Sequence, residues 1–434
     1  MAESPDPQAG SSAAIASLTS IESLGFTGGR NSFHAFCKTA FAPGTPRLLR
    51  TEGNELVVYR HEDLRTLGAM PELGAVPPGV MFPGFDTRTP DDPPHPGDGI
   101  ASVISYQVFT QNPPVHGAVR MALWRELNPK QTARMEETAR AVVQEILSEV
   151  GARSEIDLVE DIAEQLTARF WGRMIGMTRE EIAQAAIAIR DMSSMFLVQI
   201  TAEAVRQADG ASLKFGGLIE AAAARSHAAG THPFVESLAS GLSAIDVADD
   251  PACGGVVAKS VGKLLAGNLF DGFHTAAVGA ANTLFCLLRN PGMLEDLRAA
   301  PEKTGAAVME ALRCEPPVIA LKRYALADMK YLGVAIPKGA QVLMLWAAGN
   351  HDPAAFDEPS QFRLDRDLRG VTTFGGGAHI CLGRIVATML ARVLVEELGK
   401  QDFELALVDE DDPWFENLLM SQMIRMPVRL QPRT

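Results

Sequence analysis

A single cysteine near the C-terminus stands where a metal could be held. The chain there reads Phe374-Gly375-Gly376-Gly377-Ala378-His379-Ile380-Cys381-Leu382-Gly383, a glycine-rich loop running into an apolar stretch. Glycines let backbone pass flat against a planar group where any Cβ would clash. Gly383, Ala387, Leu390, Ala391, Leu394 and Leu398 recur at helical spacing, which predicts Cys381 just before or in the first turn of a helix. Unpaired N–H groups and the helix dipole at such a place favour thiolate over thiol. Cys37, Cys253, Cys286 and Cys314 are scattered, and no Cys or His lies at zinc spacing from Cys381. One thiolate points to haem iron with an open opposite face. Alone, Cys381 would read equally well as a small core residue.

Other chemistry-bearing residues are spread along the chain. His116 and Arg120 fall four apart on one helix face, and Glu310 and Arg313 fall three apart on another. Asp271-Gly272-Phe273-His274-Thr275 interrupts a long apolar segment with an acid, an imidazole and a hydroxyl. Asp271 and Thr275 are one turn apart on the same face.

These residues need a helical frame. Helices are predicted at Val115–Leu127, Lys130–Val150 and Ile156–Ile175, and Thr178 with Glu181 forms a capping box for the next. Alanine-rich segments follow to His227, with a break at Gly230–Pro233. Val256–Asn290 is the longest candidate, on the order of 50 Å, and apolar nearly all round. Thr304–Cys314 is another, ended by Pro316-Pro317. Leu56–Tyr59 and Val318–Leu345 read as strands, and Val76–His95 as an irregular loop. The fold class is mainly α with a small β portion.

The chain has 434 residues, 47% hydrophobic and 21% charged, with no internal linker, repeat or low-complexity block. It reads as a loose tail over 1–20 and one domain over 21–434. A net charge of −14 argues against nucleic acid as a partner. The Val256–Leu288 stretch carries Lys259, Lys263, Asp271 and His274, so no membrane anchor is expected, and neither is a signal peptide. Few, unpatterned cysteines fit a reducing cytoplasm.

The cysteine loop resembles the haem-ligand signature of the cytochrome P-450 family: Phe374, Gly377, His379, Cys381 and Gly383 all match. Glu310-Ala311-Leu312-Arg313 is similar to the family's Glu-x-x-Arg, and Arg366 to the later arginine that joins it in bracing the loop. His116 and Arg120 resemble its His-x-x-x-Arg. The resemblance spans roughly 40 to the end, and the chain looks like the soluble bacterial branch.

The resemblance implies the cytochrome P-450 fold, a long central helix over haem b, and Cys381 as the iron ligand. It implies haem contacts from His116, Arg120, Gly272, Arg323, Phe374, Gly375, His379 and Gly383, the cationic ones on the propionates. It implies hydroxylation of an apolar small molecule with O2 and two electrons, delivered by a ferredoxin and its reductase. A basic patch from Arg125, Lys130, Arg384 and Arg392 would meet that partner.

Thr275 matches the family's distal threonine, but His274 stands where the family has an acid. Three readings stay open: His274 relays protons, Asp271 replaces the acid, or water or a substrate group does the work. Apolar residues expected over the haem are Met81, Phe82, Phe196, Leu269, Phe273, Val318, Ile319 and Met420. Two alternatives remain. One is the same fold doing peroxide-driven, NO-reducing, desaturation or coupling chemistry. The other is a non-catalytic haem-binding sensor.

Overall fold

The computed structural model describes residues 14–84, 95–196, 201–408 and 414–433. Its axis is the helix Val261–Leu288. Ser260 caps it, accepting the Lys263 N–H at 3.1 Å. Leu264, Leu265, Phe270, Leu284 and Leu287 around it are all buried. A helix apolar on every side belongs inside the protein. At 28 residues it is about 42 Å long. It is shorter than the sequence predicts, because residues 256–259 run irregularly before the serine cap.

Helices Glu164–Ile175, Ala202–Ala229, Thr304–Cys314 and Arg384–Gly399 pack against this central helix. Arg384–Gly399 also packs on Pro129–Val150 and on Thr304–Cys314. Helix Val115–Leu127 has the predicted bounds, and the capping box of Thr178 and Glu181 is present. The Pro78–Met81 segment of the expected irregular loop forms a short helix, and 85–94 lie outside the described residues.

A five-stranded sheet lies beside the helices, in the order Leu48–Arg50, Leu56–Val58, Gln341–Met344, Leu321–Ala325, Leu73–Gly74. Leu56 pairs Val342 in parallel, and Leu321 pairs Met344 antiparallel. Both faces are covered. Leu49, Val57 and Leu343 join one core with Phe33 and Phe36, while Leu48, Leu56, Val58 and Met344 join another with Trp346. Two buried faces explain the unbroken apolar run at 56–58.

Two expectations are corrected. Ile156–Ile175 is not one helix. Glu155–Asp157 is a strand pairing Ile156 with Val428, and Leu158–Ala163 is a π-helical turn before the helix proper. The Asp157 carboxylate accepts the Val159 N–H at 2.8 Å and ends the strand there. The loose tail over 1–20 also fails at its C-terminal end. Ile15 and Leu18 pack against the sheet core, and Ser20 bridges to Arg50. Among the described residues, no helix is long and apolar enough to cross a membrane.

Candidate active site

The cysteine loop is pinned by its backbone. The Cys381 N–H bonds to the Phe374 carbonyl at 2.8 Å, and Phe374 packs with Val308, Leu312 and Ala391. Gly377 has φ +64, and a Cβ there would lie 1.8 Å from the Gly68 carbonyl oxygen, so no other residue fits. Gly375 has φ +70 and lies over the Trp346 indole. Arg384 donates to the Cys381 carbonyl and Arg120 to the Ile380 carbonyl, both at 2.8 Å. Gly383 is open on its Cβ side, and the following helix starts at Arg384.

The expected thiolate does not follow from this backbone. Burial pushes the Cys381 thiol up to about 11, outweighing the pull of the Gly383 N–H. A coordinated cation would deprotonate it instead.

Behind the loop lies a buried charge network. Glu310 and Arg313 are both fully buried and joined through two bonds of 2.8 Å. Arg366 donates to Glu310 at 3.2 Å, and the Arg363 N–H at 3.0 Å. Arg313 also reaches the carbonyls of Asn350, Pro359 and Gln361. Asn350 in turn holds Thr372 and Thr373, just before Phe374. The three charged residues that the sequence singles out are thus in one network, and it reaches the start of the cysteine loop through the side chain of Asn350.

Four nitrogenous side chains converge near Cys381. The rings of His116 and His379 lie against each other, tilted by 38°, with centroids 4.2 Å apart. Burial and the neighbouring cations lower His116 to about 4 and His379 to about 2. Arg323, 3% exposed, is lowered to about 10 by burial, and makes no ion pair among the described residues. Arg120 is lowered too, by burial and then Arg384. His116 Nε2 and His379 Nδ1 are buried without hydrogen-bond partners. Donors gathered without an acid raise each other's cost, and two carboxylates would satisfy them. The residues present therefore fit the propionates of a haem. No cluster of three or more His, Cys, Asp or Glu side chains suited to another metal occurs among the described residues.

On the central helix, the Thr275 hydroxyl donates to the Asp271 carbonyl at 2.7 Å. The Asp271 carboxylate accepts from Gln107 Nε2 at 3.2 Å. Its charge reaches Cys381, adding to the rise of that thiol. Burial raises Asp271 to about 7, with the Gln107 bond opposing. His274 leaves the helix in another direction. Its ring stacks on Phe270 and meets the Gln422 side chain. It lines a cavity with Val159, Glu164, Thr167, Ile189 and Met423. That cavity admits water centres over about 30 Å³, room for one or two waters. Burial lowers His274 to about 4, so it is neutral near pH 7.

The remaining expected positions have these surroundings. A Cβ at Gly272 would meet the Trp171 indole at 2.9 Å, so this glycine makes room for Trp171. The Trp171 indole N–H donates to the Gly272 carbonyl at 3.0 Å. Phe273 packs edge-on to Phe215 in the helical core, and Ile319 lies in the sheet-side core. Val318 and Met420 form a bridge, Leu269 is buried, and Met81 and Phe82 are half-buried against the helical core. The side chain of Phe196 lies outside the described residues. In the expected basic patch, Arg392 is neutralised by Glu136 and Glu396, and Arg384 lies over the Trp124 ring. Arg125 and Lys130 are exposed.

Sequence reasoning passed over Gln107, Trp171 and Thr167. The last donates to the Phe273 carbonyl at 2.9 Å. Each acts through a contact more than a hundred residues distant, which no local spacing signals.

The sequence profile described as Cytochrome P450 matches residues 257–431. The chain is 27% identical over 355 residues to the 6-deoxyerythronolide B hydroxylase of Saccharopolyspora erythraea, covering 81% of this chain and 85% of that one. It is 33% identical over 161 residues to cytochrome P450 144 of Mycobacterium tuberculosis, covering 37% of each. Its fold is similar to P450BioI, solved in complex with an acyl carrier protein ligated to hexadec-9Z-enoic acid. The TM-score is 0.76 at 20% identity, over 91% of this chain and 100% of that one. CalO2 is similar at a TM-score of 0.75 and 22% identity, over 93% and 96%.

Proposed function

Because this chain belongs to the cytochrome P450 family, whose members carry haem b, we propose that it hydroxylates a small molecule, with Cys381 as the iron ligand and separate redox partners. The observation that carries the reading is the convergence of His116, Arg120, Arg323 and His379, unpaired with any acid among the described residues, beside the one cysteine in a glycine loop. Bound haem would supply oxygen activation once two electrons are delivered.

The residues would divide the remaining work. His116, Arg120, Arg323 and His379 hold the propionates. Phe374, Gly375, Gly377 and Gly383 shape the loop that presents Cys381. Thr275 and Asp271 form the proton-handling pair. Their shared helix face and the electrostatic reach of Asp271 to Cys381 favour Asp271 over His274. The exposed Arg125 and Lys130, with Arg384, offer cations to an acidic ferredoxin in a chain of net charge −14. We place the enzyme in the cytoplasm.

Asp271→Asn is expected to cut product formed per O2 consumed by about tenfold or more, the usual range for losing a general acid. His274→Phe is expected to change that ratio less than about twofold. The sign with pH follows from the raised carboxyl. Its protonated, donating form predominates below about 7 and is lost above it, so coupling falls as pH rises through that value. If the histidine variant uncouples and the asparagine variant does not, the assignment is reversed. Turnover driven by ferredoxin, its reductase and NAD(P)H should exceed turnover driven by hydrogen peroxide. The opposite order would favour the peroxide-driven alternative.

A further inference from the structure

Resting on the active-site reading above, we propose that Gln107 both fixes Asp271 and selects the substrate, accepting a hydrogen bond from a hydroxyl group that the substrate must carry. Gln107 is fully buried, between the helix Asp98–Ile104 and the turn Val108–Thr110. Its backbone is tied down. The Thr110 hydroxyl donates to the Gln107 carbonyl at 2.9 Å, and Asn268 of the central helix accepts the Val108 N–H at 2.9 Å. Asn268 also donates to the Tyr106 carbonyl at 3.1 Å. The side chain is therefore held at the central helix from both flanks.

The bond from Nε2 to the Asp271 carboxylate sets which way the amide faces. A carboxylate oxygen takes the N–H end, so the carbonyl end, Oε1, is the one left over. Oε1 is buried with no hydrogen-bond partner. It belongs to the same planar amide and so stays beside Asp271, whose charge reaches Cys381. A molecule bound on that side of the helix meets the amide oxygen and, above about pH 7, a carboxylate, with no lysine or arginine paired to Asp271 among the described residues.

A buried amide oxygen without a donor disfavours any ligand that seals it off with a methylene. An O–H group satisfies it. A cation is less favoured than a neutral donor, because burial already biases the neighbouring carboxyl toward its neutral form. Sites built around such an acceptor discriminate strongly against analogues lacking the donor. The expected apolar substrate is then an apolar frame bearing a hydroxyl.

The test uses the haem-loaded protein, with loading checked by the red-shifted band of its reduced, carbon-monoxide-bound form. Three frames (decyl, adamantyl and decahydronaphthyl) are titrated calorimetrically as the alcohol, its methyl ether and its dimethylamine. Alcohols are expected to bind about tenfold or more tighter than their ethers, and Gln107→Met to bring that ratio near one. The same variant should move the pH profile of coupling upward, since it removes the bond that opposes the rise of Asp271; a merely structural role would leave that profile in place. Three results would overturn the proposal: ethers binding as well as alcohols, a preference that survives in Gln107→Met, or no binding by any alcohol. Amines binding tightest, with the advantage lost in Asp271→Asn, would move recognition to the acid. The wild-type ratio stands even where the variant does not fold. A missing red-shifted band sinks the haem–thiolate reading itself. An intact band without hydroxyl preference sinks only this proposal.

Discussion

Replacing Glu310 with alanine is expected to cost about 3–5 kcal/mol and to strip the protein of most of its haem. The figure is large against a typical total stability of roughly 5–15 kcal/mol. It follows from what the substitution leaves behind. Arg313 is fully buried, and its charge is balanced by Glu310. Arg366 leans on the same carboxylate. Without it, a buried guanidinium keeps only carbonyls and the Cys314 sulfur as partners, which solvate but do not neutralise. Those carbonyls belong to Asn350, Pro359 and Gln361, so the disturbance runs into the segment before Phe374. Urea unfolding and haem content after purification measure both effects. Glu310→Gln keeps the shape without the charge and should fall between. An exposed pair gives the scale by contrast. Removing Glu203, which pairs with Arg206 on the surface, should change stability by about 0.5 kcal/mol or less. An unchanged midpoint and haem content in Glu310→Ala would show that the network does not support the loop.

Much of this was legible in the sequence because the relevant contacts are local. Cys381 and its glycines lie within ten residues, and Glu310 and Arg313 within one helical turn. The helices at Val115–Leu127 and Thr304–Cys314 announce themselves through proline, cap and period. The sheet was less legible, since its central strands are buried on both faces and show no alternation. The distal side was half legible. Spacing puts Asp271 and Thr275 on one face, but it cannot say which face meets the cysteine loop. Gly272 illustrates the gap. Its type suggests a close approach, but the partner, Trp171, lies a hundred residues away on another helix. Gln107 carries no motif at all; only the fold brings it to Asp271. The thiol of Cys381 marks a further limit. Dipole reasoning from the sequence favours a thiolate, while burial, which only the structure reveals, outweighs it.

Cys381→Ser is expected to abolish the strongly red-shifted Soret band of the reduced, carbon-monoxide-bound protein. It should lower turnover by on the order of a thousandfold or more, the scale of removing a group on which a reaction depends. Serine would offer a hard oxygen in place of a soft sulfur, and a haem iron held there would lack the electron donation that a thiolate supplies. The loss should be chemical rather than structural. The loop is held by the Cys381 N–H on Phe374, by Arg384 on the Cys381 carbonyl and by Arg120 on Ile380. None of these bonds uses the sulfur. Thermal stability without haem should therefore change by no more than about 1 kcal/mol. The adjacent pair His116 and His379 supplies the competing hypothesis, because imidazole is the other common haem ligand. With a histidine ligand, the serine variant would keep the wild-type spectrum and His379→Ala or His116→Ala would lose it. With Cys381 as ligand, those alanine variants should weaken haem retention but leave the position of the red-shifted band in place, since they remove partners of the propionates and not the iron–sulfur bond.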